Sequence, residues 1–226
     1  MCPDPRNGEC TATVSRITTS LRRLTSSRTQ DVRAIRREMS KELRAAPSHF
    51  VIRVALELVA RGGWKERFVA YELILKHPAA LAAVNARTAV ALASTLGDWA
   101  AVDTFACYVA GPAWRERQIA DTVIRQWAAS PDRWWRRAAV VCTVALNNKA
   151  RGGHGDASRT IDICRRVIAD RDDMVVKALS WALRELAKRD PSAARTFVKT
   201  HEPQLPPRVR REVANKLKTG RKQPRR

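Results

Sequence analysis

The sequence predicts an all-α chain: an α-solenoid of about six HEAT-like helix pairs with a concave basic surface. Three observations carry that prediction. Apolar residues, 45% of the 226, recur at helical spacing almost from end to end. Helix-length segments alternate with short breaks, so each helix must bury its apolar face against its neighbours. Nine glycines and two tyrosines are too few for a β chain rich in turns and aromatic strands. No strict sequence repeat is visible, so the solenoid rests on helix number and loop length.

The elements follow in order. Residues 1–11 read as a flexible tail. Helical segments then cover 12–26, 29–45, 48–61, 64–76, 79–95, 98–110, 114–128, 132–147, 156–169, 173–189, 191–201 and 207–218. Pro47, Gly62-Gly63, Pro78, Gly97, Gly111-Pro112, Pro131, Pro191 and Pro206-Pro207 mark the breaks. Asp98, before a tryptophan-led helix, reads as an N-cap, and Gly111 as the glycine ending that helix. Ser130-Pro131 reads as a capped start with proline in the first turn. KARGGHGD (149–156) reads as a mobile glycine-rich loop, and TGRKQPRR (219–226) as a basic disordered tail. The repeat domain is therefore expected over 12–218.

Charge narrows the partner. Lys and Arg number 43 against 22 Asp and Glu, a formal net charge of +21. The apolar content excludes a disordered basic tail. A surplus of this size costs stability by self-repulsion unless a polyanion answers it. Arginines recur along nearly every helical segment, and a basic concave track suits a duplex backbone, with affinity from phosphate neutralisation. No apolar run approaches the ~20 residues that cross a bilayer. The opening MCPDPRNGEC has two acids and no apolar core, so a secretory signal is not expected and a cytoplasmic, nucleoid-associated location is. The five cysteines show no CxxC pairing, which fits reduced thiols, and Cys107, Cys142 and Cys164 sit among apolar helical residues as small hydrophobes. GxxxxGK[ST] and HExxH are absent and the four histidines are scattered, so no metal or cofactor is expected.

Three clusters place tryptophan beside charge. In GDWAAVD (97–103), Trp99 and Asp103 share a helix face at i,i+4. In RWWRRAAVV (133–141), Trp134 and Arg137 share one at i,i+3. In VVKALSWALRELAK (175–188), Trp181 sits in a well-patterned amphipathic helix. Taken singly, a tryptophan is more often a core residue. Together, DWAAVD, WWRRAAVV and KALSWALRE resemble, in order and approximate spacing, the motifs of the AlkD-type DNA alkylation repair glycosylases, a HEAT-like repeat family. The resemblance extends over roughly residues 30–217.

That resemblance implies a monomeric, monofunctional glycosylase that binds duplex DNA and excises positively charged alkylpurines such as 7-methylguanine and 3-methyladenine. It places Trp99, Asp103, Arg137 and Trp181 in the family's cleft. Asp103 would be the carboxylate that stabilises an oxocarbenium-like sugar and orients water. Trp99 and Trp181 would face the sugar and the cationic lesion. Arg137 would hold a phosphate, with Arg136, Trp134 and Lys177 as further candidates for DNA contact. The base need not be flipped into a pocket, so recognition would use the lesion's charge and its weakened bond. The N-terminal region (12–26), mostly Ser, Thr and Arg, and the GGHGD loop do not map onto the family pattern. Lys149 and Lys177 could suggest Schiff-base chemistry, but a lysine on an exposed face is more often a solvated charge. The alternative is a non-catalytic HEAT-like module binding DNA, structured RNA or an acidic protein. A pure binder gains nothing from an aspartate that repels the backbone.

Overall fold

Every regular element among the described residues is helical. The computed structural model describes residues 5–26 and 28–223; the rest of the expected terminal tails, 1–4 and 224–226, lies outside them. The chain packs as two compact units, Met1–Leu96 and Gly97–Arg226, each two layers of stacked helix pairs as expected of HEAT-like repeats. None of the helices among the described residues is long and apolar enough to cross a membrane.

The first unit holds α1 (Pro5–Arg23), α2 (Thr29–Glu42), α3 (Ser48–Ala60), α4 (Trp64–Lys76), α5 (Pro78–Ala82) and α6 (Ala86–Leu92). Helix α1 packs on α3 and α2 on α4, and the pairs α1–α2 and α3–α4 join the two layers. Val32, Ile35 and Met39 of α2 recur at helical spacing and are buried, which fixes its inner face. Two expectations are corrected here. Helix α1 begins at Pro5, so residues 5–11 are helical rather than tail. The segment 79–95 is two helices, because Asn85 turns its side chain back to accept the Thr88 N–H at 2.9 Å and starts α6 afresh.

The second unit holds α7 (Trp99–Phe105), α8 (Gly111–Arg115), α9 (Asp121–Ala128), α10 (Arg133–Asn147), α11 (Ala157–Arg166), α12 (Asp173–Arg189), α13 (Pro191–Thr200) and α14 (Pro207–Thr219). Helices α10, α12 and α14 stack in one layer, and α9 and α11 pack behind α10. Every residue of α10 from Arg137 to Asn147 is buried, so this helix is the core of the unit.

Three further readings are corrected in this unit. Gly111-Pro112 does not end a helix. A π-helical turn over Ala106–Ala110 carries α7 straight into α8, a wider turn that accommodates a proline lacking an N–H. Gly111 is required for another reason: a Cβ there would lie 2.5 Å from the Ala106 carbonyl and 2.6 Å from Ala145 Cβ. The break falls after Arg115, where Arg117 takes a left-handed φ of 65°. At the start of α10 the cap is Asp132, which accepts the Trp134 N–H at 2.8 Å, and Pro131 precedes the helix. The 149–156 loop is pinned rather than mobile. Its Gly155 N–H donates to the Leu146 carbonyl at 2.8 Å, and Asp156 N–H to Asn147 Oδ1 at 3.3 Å. Arg189 donates to the Asn147 carbonyl at 2.8 Å and to that of Gly153, while Arg115 reaches the Arg151 carbonyl at 2.9 Å.

Candidate active site

The expected cap forms as read: Asp98 accepts the Ala101 N–H at 2.9 Å and sets where α7 begins. Trp99, the first residue of the helix, is left 57% exposed. Asp103 follows on the same face one turn later and is partly buried. Across from it, Arg137 comes from the first turns of α10. Its Nε donates to Asp103 Oδ1 at 2.9 Å and its Nη2 to Oδ2 at 2.8 Å, a bidentate pair between residues 34 apart in sequence. Nη1 donates to the Met174 carbonyl at the start of α12. One guanidinium, itself only 6% exposed, thus ties together α7, α10 and α12.

The electrostatics of Asp103 are a balance of opposites. Burial pushes its carboxyl above the ordinary Asp range, while the hydrogen bonds and charge of Arg137, and the charge of Arg151, pull it back. Arg151 lies in the pinned loop, with its guanidinium 4.9 Å from the Tyr108 ring centroid. No motif pointed to Arg151, and the glycine-rich stretch around it offered no signal. Below Asp103, burial pushes the Cys107 thiol up to about 12, and Cys142 and Cys164 are equally enclosed. These three cysteines are core residues, as their apolar surroundings predict.

Trp181 lies on α12, partly buried. Next to it, Ser180 donates to Glu212 Oε2 at 2.6 Å and anchors α12 to α14. The structure therefore brings Asp103 and Arg137 into contact and sets Trp99 and Trp181 on two of the three helices joined by that guanidinium.

The other candidates for DNA contact have partners inside the fold. Arg136 donates to Asp170 Oδ2 at 2.6 Å and to the Ser130 and Pro131 carbonyls at 3.0 and 2.8 Å. Trp134 lies under the Arg133 guanidinium, 5.0 Å from the ring centroid. Lys177 is exposed but pairs with Asp173 at 2.5 Å, and the same carboxylate takes Arg208 at 2.8 Å. The hydrogen bond from Lys177 is the main cause holding the Asp173 carboxyl below its usual range. The Asp173–Lys177 pair at i,i+4 and the Arg133–Trp134 neighbours lie within local sequence, whereas the Arg136–Asp170 and Arg208–Asp173 contacts join different elements. Among the described residues, no group of three or more His, Cys, Asp and Glu is placed to hold a metal ion.

A model of the family described as DNA alkylation repair enzyme matches residues 7–217. No curated protein and no solved structure matches the chain.

Proposed function

The chain belongs to the DNA alkylation repair enzyme family, and from that premise we propose that it is a monofunctional DNA glycosylase releasing cationic alkylpurines, of the 7-methylguanine and 3-methyladenine class, from duplex DNA. The observation that carries the reading is Asp103: a partly buried carboxylate fixed at both oxygens by a buried guanidinium, one turn from an exposed tryptophan.

The chemistry needs little beyond this. An alkylated purine cation departs as a neutral base, so no acid must protonate it. The positive charge passes to the sugar, and a fixed carboxylate stabilises it without having to reorganise. A carboxylate offers about four lone-pair positions, and Arg137 takes one on each oxygen. The remaining positions are available to the sugar and to the attacking water, for which Asp103 is the base. Arg137 serves as the positioning residue that holds the carboxylate's rotamer. Its burial supports this role over a phosphate contact. Trp99 offers a π face to the cationic lesion, and Trp181 supplies a second aromatic wall. DNA contacts by Arg136, Trp134 and Lys177 would require them to serve a phosphate while keeping, or exchanging, their partners within the fold.

The test is release of free 7-methylguanine from methylated duplex DNA, followed by chromatography. Base release that depends on protein concentration supports the reading. Tight duplex binding with no base release would instead support the non-catalytic module.

A further inference from the structure

The geometry points to a phosphate-binding pocket in the first unit, formed by Arg37, Ser40, Lys41 and Arg44 of α2 and its 3₁₀ continuation together with Lys76 of α4. These residues line a cavity of about 300 Å³, at the small end of ligand sites, which run from ~300 to ~1,000 Å³. Positions 37, 40, 41 and 44 fall at i, i+3, i+4 and i+7, so one stripe of α2 faces the cavity. Lys76 ends α4, and α4 packs on α2, so it enters the same space from the second helix.

Arg36 on the cavity wall is answered by Glu72, but the other four cations are not. Like charges at i,i+4 on a helix repel one another, yet Arg37, Lys41, Arg44 and Lys76 are all exposed and have no carboxylate partner among the described residues. No acid lines the cavity. Two acids of these helices are committed elsewhere, Glu72 to Arg33 at 2.8 Å and Arg36 at 3.0 Å and Glu42 to Arg16 at 2.9 Å, and Glu38, exposed on α2, is not among the residues that line the cavity. His77, on the cavity wall, has both ring nitrogens engaged within the fold: Nδ1 accepts the Ala80 N–H at 3.0 Å and Nε2 lies 3.1 Å from the Ala46 carbonyl. Ser40 Oγ accepts from Arg36 at 3.5 Å and keeps its own O–H to donate. Four exposed cations and a hydroxyl around a small cavity suit a compact, multiply charged oxyanion. A helix C-terminus favours a cation in its last turn, which accounts for Lys41 and Lys76 singly but not for their convergence with Arg37 and Arg44.

The phosphate could belong to a duplex backbone or to a free oligophosphate, and the full-length chain distinguishes the two. Calorimetric titration with sodium pyrophosphate at fixed ionic strength should show saturable binding to the wild type. That binding should weaken at least tenfold in Arg44→Gln/Lys76→Gln and in the single variant Arg37→Gln, each with a melting temperature close to wild type. Arg195→Gln/Lys199→Gln removes the same charge from the exposed face of α13 and should bind as wild type does. In a second arm, duplex affinity is followed against salt. If the pocket takes a backbone phosphate, Arg44→Gln/Lys76→Gln lowers the log–log slope by about 0.9 per lost contact and the control does not. If it takes a free oligophosphate, the slope holds while pyrophosphate binding is lost. The pocket is refuted if neither quantity distinguishes the Arg44→Gln/Lys76→Gln variant from the Arg195→Gln/Lys199→Gln control. Neither readout involves base release, so failure of the glycosylase reading leaves this result standing.

Discussion

Replacing Asp103 with Asn removes a charge and almost no volume, so its two consequences can be measured separately. The first is structural. Arg137 is 6% exposed and Asp103 18%, so water cannot replace what the guanidinium loses. Breaking one side of a buried ion pair costs about 3–5 kcal/mol. Asn keeps one acceptor oxygen for the guanidinium and the Met174 carbonyl contact survives, which places the cost near the lower end, about 3 kcal/mol. For a chain of this size that lowers the melting temperature by on the order of 10 °C. The second consequence is catalytic: loss of a fixed electrostatic stabiliser slows reaction by about 10²–10³. Single-turnover release of 7-methylguanine, measured well below both melting temperatures, gives the rate per folded molecule. The double variant Asp103→Asn/Arg137→Met then separates the effects. With no buried charge left unpaired, its melting temperature should recover to within a few degrees, while base release stays as slow as in the single variant. Wild-type rates in Asp103→Asn, or recovery of rate in the double variant, would refute the catalytic role of the carboxylate.

Three further outcomes are expected. Trp99→Ala, at a 57% exposed position, should change stability by no more than about 0.5 kcal/mol, and Trp181→Leu should keep the melting temperature within a few degrees. Both should slow excision of cationic lesions by up to about thirtyfold, the kinetic equivalent of a desolvated cation–π contact worth about 2 kcal/mol; thermal melts and base release check the pair. Excision requires ionised Asp103, whose carboxyl burial raises above the ordinary Asp range, so the rate should begin to fall with acid while an exposed aspartate would still be fully ionised. Base release followed down the acid limb of the pH profile tests that direction. Gly111→Ala forces a Cβ to within 2.6 Å of Ala145 and should cost about 1–3 kcal/mol or more by overpacking, read by denaturant unfolding.

What the sequence made legible depended on how local the deciding contacts are. The spans 64–76 and 173–189 match α4 and α12, because the apolar spacing that marks each lies within the segment itself. The Asp98 cap was equally legible, since a cap acts over three residues. Gly111-Pro112 misled for the converse reason. Locally it reads as a stop, but the close approach of Ala145 from α10 decides what the glycine is for. The 149–156 loop reads as loose because its anchors, Arg115 and Arg189, lie more than thirty residues away along the chain. The tryptophan-and-charge clusters singled out Asp103 and Arg137 as residues, but not that each is the other's partner. That contact spans two helices, and no spacing within either one encodes it.

The backbone-bound arginines divide the protein's positive charge into two populations with different responses to ionic strength. Arg115, Arg137, Arg159 and Arg189 donate to carbonyl oxygens of distant loops and helix ends, in part-buried contacts. Ions do not enter such part-buried contacts readily, and the carbonyl acceptors give the salt no opposite charge to screen, so these bonds hold even where the same arginine also pairs with a carboxylate. The solvated cations behave otherwise, since their hold on a polyanion weakens with every released counterion. A chromatographic buffer concentrated enough to strip nucleic acid from this protein therefore leaves its internal arginine braces in place. The chain can be freed of its partner by salt without being loosened by it.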